Sequence, residues 1–232
     1  MSEREHPRAP YVVAVEFRSA SSFLITYSLN LSRGGLFLET FHDVPAGAPV
    51  ALTFRIPGAG EVVLDGVVAW RREAGSPDGP AGLGVEFTDI TSQLGDVIDQ
   101  LVGQFHGLHV VVVASDSKDR ASLTRLIKSI LTSASVAAAA DAATAETLVT
   151  ADADLVVTDV DGDPDGAIAI HRQAKALPTA VPAIALASTK RLRDHARAAG
   201  ADELVGNPPT FEELQLAVMR ALARPTAVRG SS

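Results

Sequence analysis

Apolar and polar residues alternate with a period of two through most of the first 88 positions of this 232-residue chain, the mark of strands with one buried face. Residues 11–17, 23–27, 36–38, 50–54, 62–64, 67–70 and 83–87 each read as a strand. Ser-, Gly- and Pro-rich stretches at 19–22, 33–35, 57–60 and 75–80 supply the turns between them. Many short strands at even spacing predict a small all-β antiparallel barrel or sandwich. In that setting Trp70 reads as barrel core. From Ser92 the period lengthens to that of a helix, with Leu94, Val97, Ile98, Leu101, Val102 and Phe105 on one stripe, and Gly107 ends it.

Beyond Gly107 short apolar strands alternate with amphipathic helices. The strands fall at 108–113, 136–140, 155–158, 183–186 and 203–205, and the helices at 144–149, 167–177, 191–199 and 211–222, after a first one carrying Leu123, Leu126, Ile127, Ile130 and Leu131. Five such units predict an α/β, doubly wound, five-stranded parallel sheet. The chain therefore reads as two domains, 1–106 and 107–224, followed by a tail at 225–232 expected to be disordered.

Composition narrows the function. With no Cys, the chain has no disulfide, no thiolate metal site and no Cys nucleophile. The polar N-terminus and the lack of any apolar run near eighteen residues predict neither secretion nor membrane insertion, so the cytoplasm is the expected compartment. The net charge of −8 argues against a nucleic-acid polymer as partner, which would require a basic footprint. Residues 1–106 hold seven Arg, no Lys and thirteen acidic residues. Two of those arginines, Arg4 and Arg8, nevertheless share one short arm, which points to a local anion site.

The arm is Arg4-Glu5-His6-Pro7-Arg8, an R-x-x-x-R sequence, and about twenty residues on lies Asn30-Leu31-Ser32-Arg33-Gly34-Gly35, an N-x-S-x-x-G turn. Each arginine can fork two N–H donors onto a phosphate or onto the O6/N7 edge of guanine, and can stack on a ring. The Ser32 hydroxyl and the backbone N–H groups of the Gly-Gly turn suit phosphate oxygens, and Asn30 offers a donor and an acceptor to a base edge. These groups bind, and none of them cuts. The pair of motifs, with Gly66-Val67-Val68-Ala69-Trp70 and Gly82-Leu83-Gly84-Val85-Glu86-Phe87 downstream, resembles the PilZ family over roughly residues 3–105. The resemblance implies a receptor for cyclic di-GMP that uses Arg4, Arg8, Asn30, Ser32 and Gly35, with an N-terminal arm that the ligand orders.

The second domain resembles the receiver domain of response regulators, on the strand-ending Asp159, the following Asp165-Gly166, and Gly200-Ala201-Asp202-Glu203-Leu204 before a Pro. The resemblance implies an acidic pair holding Mg²⁺, a phosphoacceptor Asp, a Thr/Ser and a Lys before Pro, all at the carboxyl edge of the sheet. Counting from Arg120 puts Ala114 and Ser115 at the acidic pair; Ala187 takes the Thr/Ser position and Asn207 the Lys position. Asp159 keeps the acceptor position without its helpers, which predicts a degenerate, inactive receiver kept as a docking module. Asp161, Asp163 and Asp165 read as a solvated acidic turn, because Pro164 and the missing Glu rule out a calcium loop. Lys190, Arg191, Arg193 and Arg197 read as a solvated helix face, and the six His show no ligand spacing.

The function expected is that of a non-enzymatic, cytoplasmic cyclic di-GMP receptor with no metal and no cofactor. It passes ligand binding to an unidentified protein partner through the receiver-like domain, with motility, polysaccharide or secretion as pathways the resemblance allows. Two alternatives stand beside it: a ligand-independent PilZ-like adaptor, and a phosphorylated response regulator with a PilZ output.

Overall fold

The computed structural model of the protein describes residues 11–29, 34–76, 81–88, 92–105, 107–224 and 227–231. The chain divides into two compact units, residues 1–105 with 225–232 and residues 106–224. Unit 1 begins with β1 (Tyr11–Glu16), α1 (Ala20–Leu29), β2 (Gly35–Glu39), β3 (Pro49–Ile56), β4 (Gly60–Arg72), β5 (Gly82–Phe87) and α2 (Ser92–Gly103). Unit 2 holds β6 (His109–Val113), α3 (Ser117–Ile130), β7 (Ser135–Ala139), α4 (Ala142–Leu148), β8 (Leu155–Asp159), α5 (Pro164–Ala176), β9 (Ala183–Leu186), α6 (Lys190–Ala198), β10 (Glu203–Val205) and α7 (Phe211–Ala223). The last strand, β11 (Ala227–Ser231), belongs to unit 1 again.

Unit 1 departs from the all-antiparallel barrel that alternation predicts. Its sheet is mixed and six-stranded, in the order β11-β1-β3-β4-β5-β2, with β1 and β3 parallel. Residues 23–27, expected as a strand, are the middle of α1. Among its described side chains Ser22, Phe23 and Thr26 are buried, a helical spacing, and the Ser22 N–H donates to Ser19 Oγ at 3.1 Å. That bond caps the helix, so the serines that read as a turn are a helix start. A short run of contiguous apolar residues fits either element, and the cap decides it here. The Thr26 hydroxyl is satisfied within the helix, donating to Ser22 O at 2.9 Å. Phe23 then meets Phe17 edge-on with ring centroids 5.2 Å apart, inside a core that includes Leu38, Leu52, Phe54, Leu64, Leu94 and Leu101.

Two further expectations are corrected. Residues 62–64 and 67–70 belong to one strand, β4, whose Asp65 and Gly66 pair with Ala51 and Val50 of β3; a register shift between Val68 and Trp70 is its irregularity. The tail, expected as disordered, contributes β11, which pairs antiparallel with β1 from Val12 opposite Ser231 to Glu16 opposite Ala227. β11 thereby covers hydrogen-bonding groups that β1 would otherwise leave open at the sheet edge.

Unit 2 has the doubly wound parallel sheet that its periodicity predicts, in the order β10-β9-β8-β6-β7. All five residues of β8 are buried, because parallel strands are covered on both faces. Asp116, Asp141, Asp163 and Thr189 accept bonds from N–H groups at the starts of α3, α4, α5 and α6, and Thr210 with Glu213 makes a capping box on α7. Among the described residues no helix is long and apolar enough to cross a membrane.

Candidate functional site

The strand register of unit 1 builds a groove beside the end of the N-x-S-x-x-G turn. Gly34 has φ +87°, a left-handed conformation that glycine adopts freely. Its carbonyl accepts from the Phe87 N–H at 2.8 Å, and Gly35 pairs with Glu86 of β5. The motif is therefore anchored on β5 at its glycine end. Next to it lies a groove of about 440 Å³ lined by residues that include Gly34, Gly35, Phe37, Trp70, Gly84 and Glu86. Arg4, Arg8, Asn30 and Ser32 lie outside the described residues, so of the five expected ligand contacts Gly35 alone has a described position.

Trp70 is 44% exposed, not the core residue its strand pattern suggests. Phe37 of β2 and Trp70 of β4 both sit opposite Gly84 of β5, one from each side. Their rings stack with centroids 5.2 Å apart and planes 9° from parallel. The Arg72 guanidinium lies 4.9 Å from the Phe37 centroid and 5.2 Å from that of Trp70. Glycine is required beneath them, since a Cβ on Gly84 would fall 2.2 Å from Trp70 Cε2. Gly84→Val is therefore expected to evict the indole, moving the emission of this single tryptophan to longer wavelength. It should also lower unit 1 stability by about 1–3 kcal/mol, as overpacking does. Urea titration followed by fluorescence checks both.

At the carboxyl edge of unit 2, Asp159 ends β8 with 7% of its surface exposed. Burial pushes its carboxyl above the usual carboxylate range, and the charge of Asp161 adds to this. Asn207 Nδ2 donates to Asp159 Oδ1 at 2.9 Å and to Asp161 Oδ2 at 2.8 Å. Asp161 also accepts from the Ser188 hydroxyl at 2.8 Å and from the Ser188 N–H at 3.0 Å. Asp163 caps α5 through the Gly166 N–H at 3.0 Å. The expected solvated acidic turn is thus tied down at two of its three carboxylates. Ala187, expected at the Thr/Ser position, is fully buried. Arg120 Nη1 donates to the carbonyls of Ala114 and Ser115 at 2.7 and 3.1 Å, closing the loop after β6. Deeper in unit 2, His171 has no exposed surface and its Nε2 lies 2.8 Å from Thr158 Oγ1.

Residues 2–104 match the family model of the PilZ domain. The other half of the chain carries the likeness to solved structures. The receiver domain of a sensor histidine kinase from Pseudomonas aeruginosa is 20% identical, with 50% of this chain and 98% of that one covered and a TM-score of 0.45. A response regulator receiver domain from Clostridium thermocellum is 21% identical over 50% and 94%, with a TM-score of 0.44. The signal receiver domain of a DNA-binding response regulator from Colwellia psychrerythraea is 19% identical over 49% and 96%, with a TM-score of 0.43. No curated protein matches the chain.

The PilZ-matching half contains a feature that the motifs do not announce, the Phe37–Trp70–Arg72 stack. The signal for it was the Gly82-Leu83-Gly84 pattern in a strand, where bare positions invite rings from the neighbouring strands. In unit 2 the residues do not fit a Mg²⁺ ion. Ala114 offers no side-chain ligand, and the Asp116 carboxylate is engaged at the start of α3, accepting from the Lys118 and Asp119 N–H groups at 2.7 and 3.0 Å. Those bonds hold it below the usual carboxylate range. Among the described residues no group of three or more His, Cys, Asp or Glu could hold a metal.

Proposed function

We propose that this chain is a cytoplasmic, non-enzymatic cyclic di-GMP receptor in which unit 2 serves as a degenerate receiver that docks a protein partner. The observation that carries this reading is the unbroken pair R-x-x-x-R and N-x-S-x-x-G within residues that match the PilZ domain. Arg4 and Arg8 fork onto phosphates and guanine edges, Asn30 reads a base, and Ser32 with the Gly34–Gly35 turn receives phosphate oxygens. The exposed ring stack beside that turn adds apolar surface suited to a flat base. Binding requires no cofactor, and the acidic balance of the chain disfavours a nucleic-acid polymer.

Calorimetry with cyclic di-GMP tests the reading. A micromolar or tighter Kd is expected, about −8 kcal/mol, together with a change in Trp70 emission. No heat at hundredfold that concentration would sink it and leave a ligand-independent adaptor.

Unit 2 supports docking over phosphoryl chemistry. Attack by a carboxylate on a phosphoryl donor brings negative charges together and needs local positive charge. The residues around Asp159 supply a neutral amide from Asn207 and hydrogen-bond donors from Ser188, which Asp161 already uses. Incubation with a small phosphodonor and Mg²⁺ is expected to leave the intact mass unchanged, and Asp159→Asn to leave partner binding unchanged. A stable adduct on Asp159 would instead favour a phosphorylated response regulator.

A further inference from the structure

We infer that Asn207 is a latch that holds the carboxyl edge of unit 2 in one arrangement by joining three loops through two carboxylates. The three loops follow β8, β9 and β10. The first, with the end of β8, contributes Asp159 and Asp161, the second Ser188 and the third Asn207. An amide nitrogen has two N–H groups, and Asn207 spends one on each carboxylate, at 2.9 and 2.8 Å. Asp161 is then held from its other side by the Ser188 hydroxyl and N–H at 2.8 and 3.0 Å. Its own N–H donates back to Asp159 Oδ1 at 3.1 Å. Every donor in the set is neutral.

Two carboxylates that share one donor repel each other, and Asp159 is buried, so their proximity needs a fixed source of N–H groups. No cation fills that role among the described residues. Arg120 is committed to the Ala114 and Ser115 carbonyls, and Lys175 to Asp202 at 2.5 Å and to the Val181 carbonyl at 3.2 Å. Asn207 therefore does by hydrogen bonding what a cation would do by charge, and it does so without anything that can leave. A site stabilised by a removable ion has two states; a site stabilised by a covalently attached amide has one. The consequence for unit 2 is a fixed surface around the start of α6, because Ser188, which directly precedes the helix cap Thr189, is part of the latch. This deepens the reading of unit 2 as a docking module and does not depend on cyclic di-GMP.

Hydrogen exchange on the full chain, read by mass spectrometry over the three loops, tests it. In the parent protein exchange at residues 159–163, 187–190 and 206–210 is expected to be unchanged by millimolar Mg²⁺, with or without beryllofluoride. Asn207→Ala should speed exchange in the first two loops on the order of tenfold, the effect of losing a hydrogen bond to a charged acceptor, while β6 and α3 keep their protection. Asn207→Asp exchanges the donor for a third carboxylate; it should loosen the loops without metal and regain protection with Mg²⁺. Protection in the parent that responds to Mg²⁺ would overturn the latch, and so would an Asn207→Ala edge that exchanges like the parent. If Asn207→Ala does not fold, the parent and the Asn207→Asp chain with and without Mg²⁺ still decide. Calorimetry on the same variants should return the parent's cyclic di-GMP affinity, so failure of the latch and failure of the receptor reading are told apart.

Discussion

Arg8→Ala and Arg4→Ala are each expected to weaken cyclic di-GMP binding roughly ten- to hundredfold, about 1.5–3 kcal/mol, the usual worth of a hydrogen bond to a charged group. Both residues stand on the R-x-x-x-R arm directly ahead of β1. A guanidinium that forks onto a phosphate or a guanine edge loses two parallel bonds when truncated, and no third arginine stands on residues 1–10 to replace it. Asn30→Ala should cost less, since a neutral amide on a base edge is the weaker contact. Arg8→Lys should recover only part of the loss, because a lysine ammonium keeps the charge and lacks the planar fork. Titration calorimetry on the four variants checks the order. Equal affinity for the parent and Arg8→Ala would remove the arm from the site.

Acidification is expected to destabilise unit 2 through His171. Burial pushes this imidazole down to about 4 from its ordinary 6.5. The folded state therefore keeps the ring neutral at pH values where the unfolded chain protonates it. The unfolded state then binds more protons, so stability falls as pH drops from about 6.5 to about 4, and the loss is complete below that window. At 1.36 kcal/mol per pH unit the full cost is about 3 kcal/mol. Asp202 favours the protonated ring and Lys175 opposes it, but burial outweighs both. Urea unfolding of the parent and of His171→Gln at pH 7 and near pH 4.5 measures the effect. The parent should lose most of this increment, and the variant, which keeps a polar group near Thr158 and cannot titrate, should lose much less. Identical pH slopes for the two would refute the assignment.

The sequence was legible where a local pattern has a single physical solution. In unit 2 short, largely apolar strands alternate with capped amphipathic helices, and such strands have to be covered on both faces. Unit 1 was legible in part. Strands β3 and β5 followed from alternation and turn chemistry, but α1 was missed because Phe23, Leu24 and Ile25 are contiguous and carry no period of their own. β11 was missed for another reason: Ala-Val-Arg-Gly-Ser is a poor strand in isolation, and its partner lies more than two hundred residues away, at β1.

The same division runs through the candidate sites. Which residues can fork onto a phosphate, and which positions at the edge of unit 2 lack a carboxylate or a lysine, are properties of side-chain chemistry at fixed spacing, and the sequence alone determined them. The tertiary structure decided what meets what. It set Phe37 and Trp70 opposite the same glycine, so that an indole expected in the core became half of a stack under Arg72. It also brought Asn207 within hydrogen-bond reach of carboxylates 46 and 48 positions earlier. Strand register and parallel stacking make those neighbours, and both are set by burial summed over whole sheets, a quantity no short stretch of sequence contains.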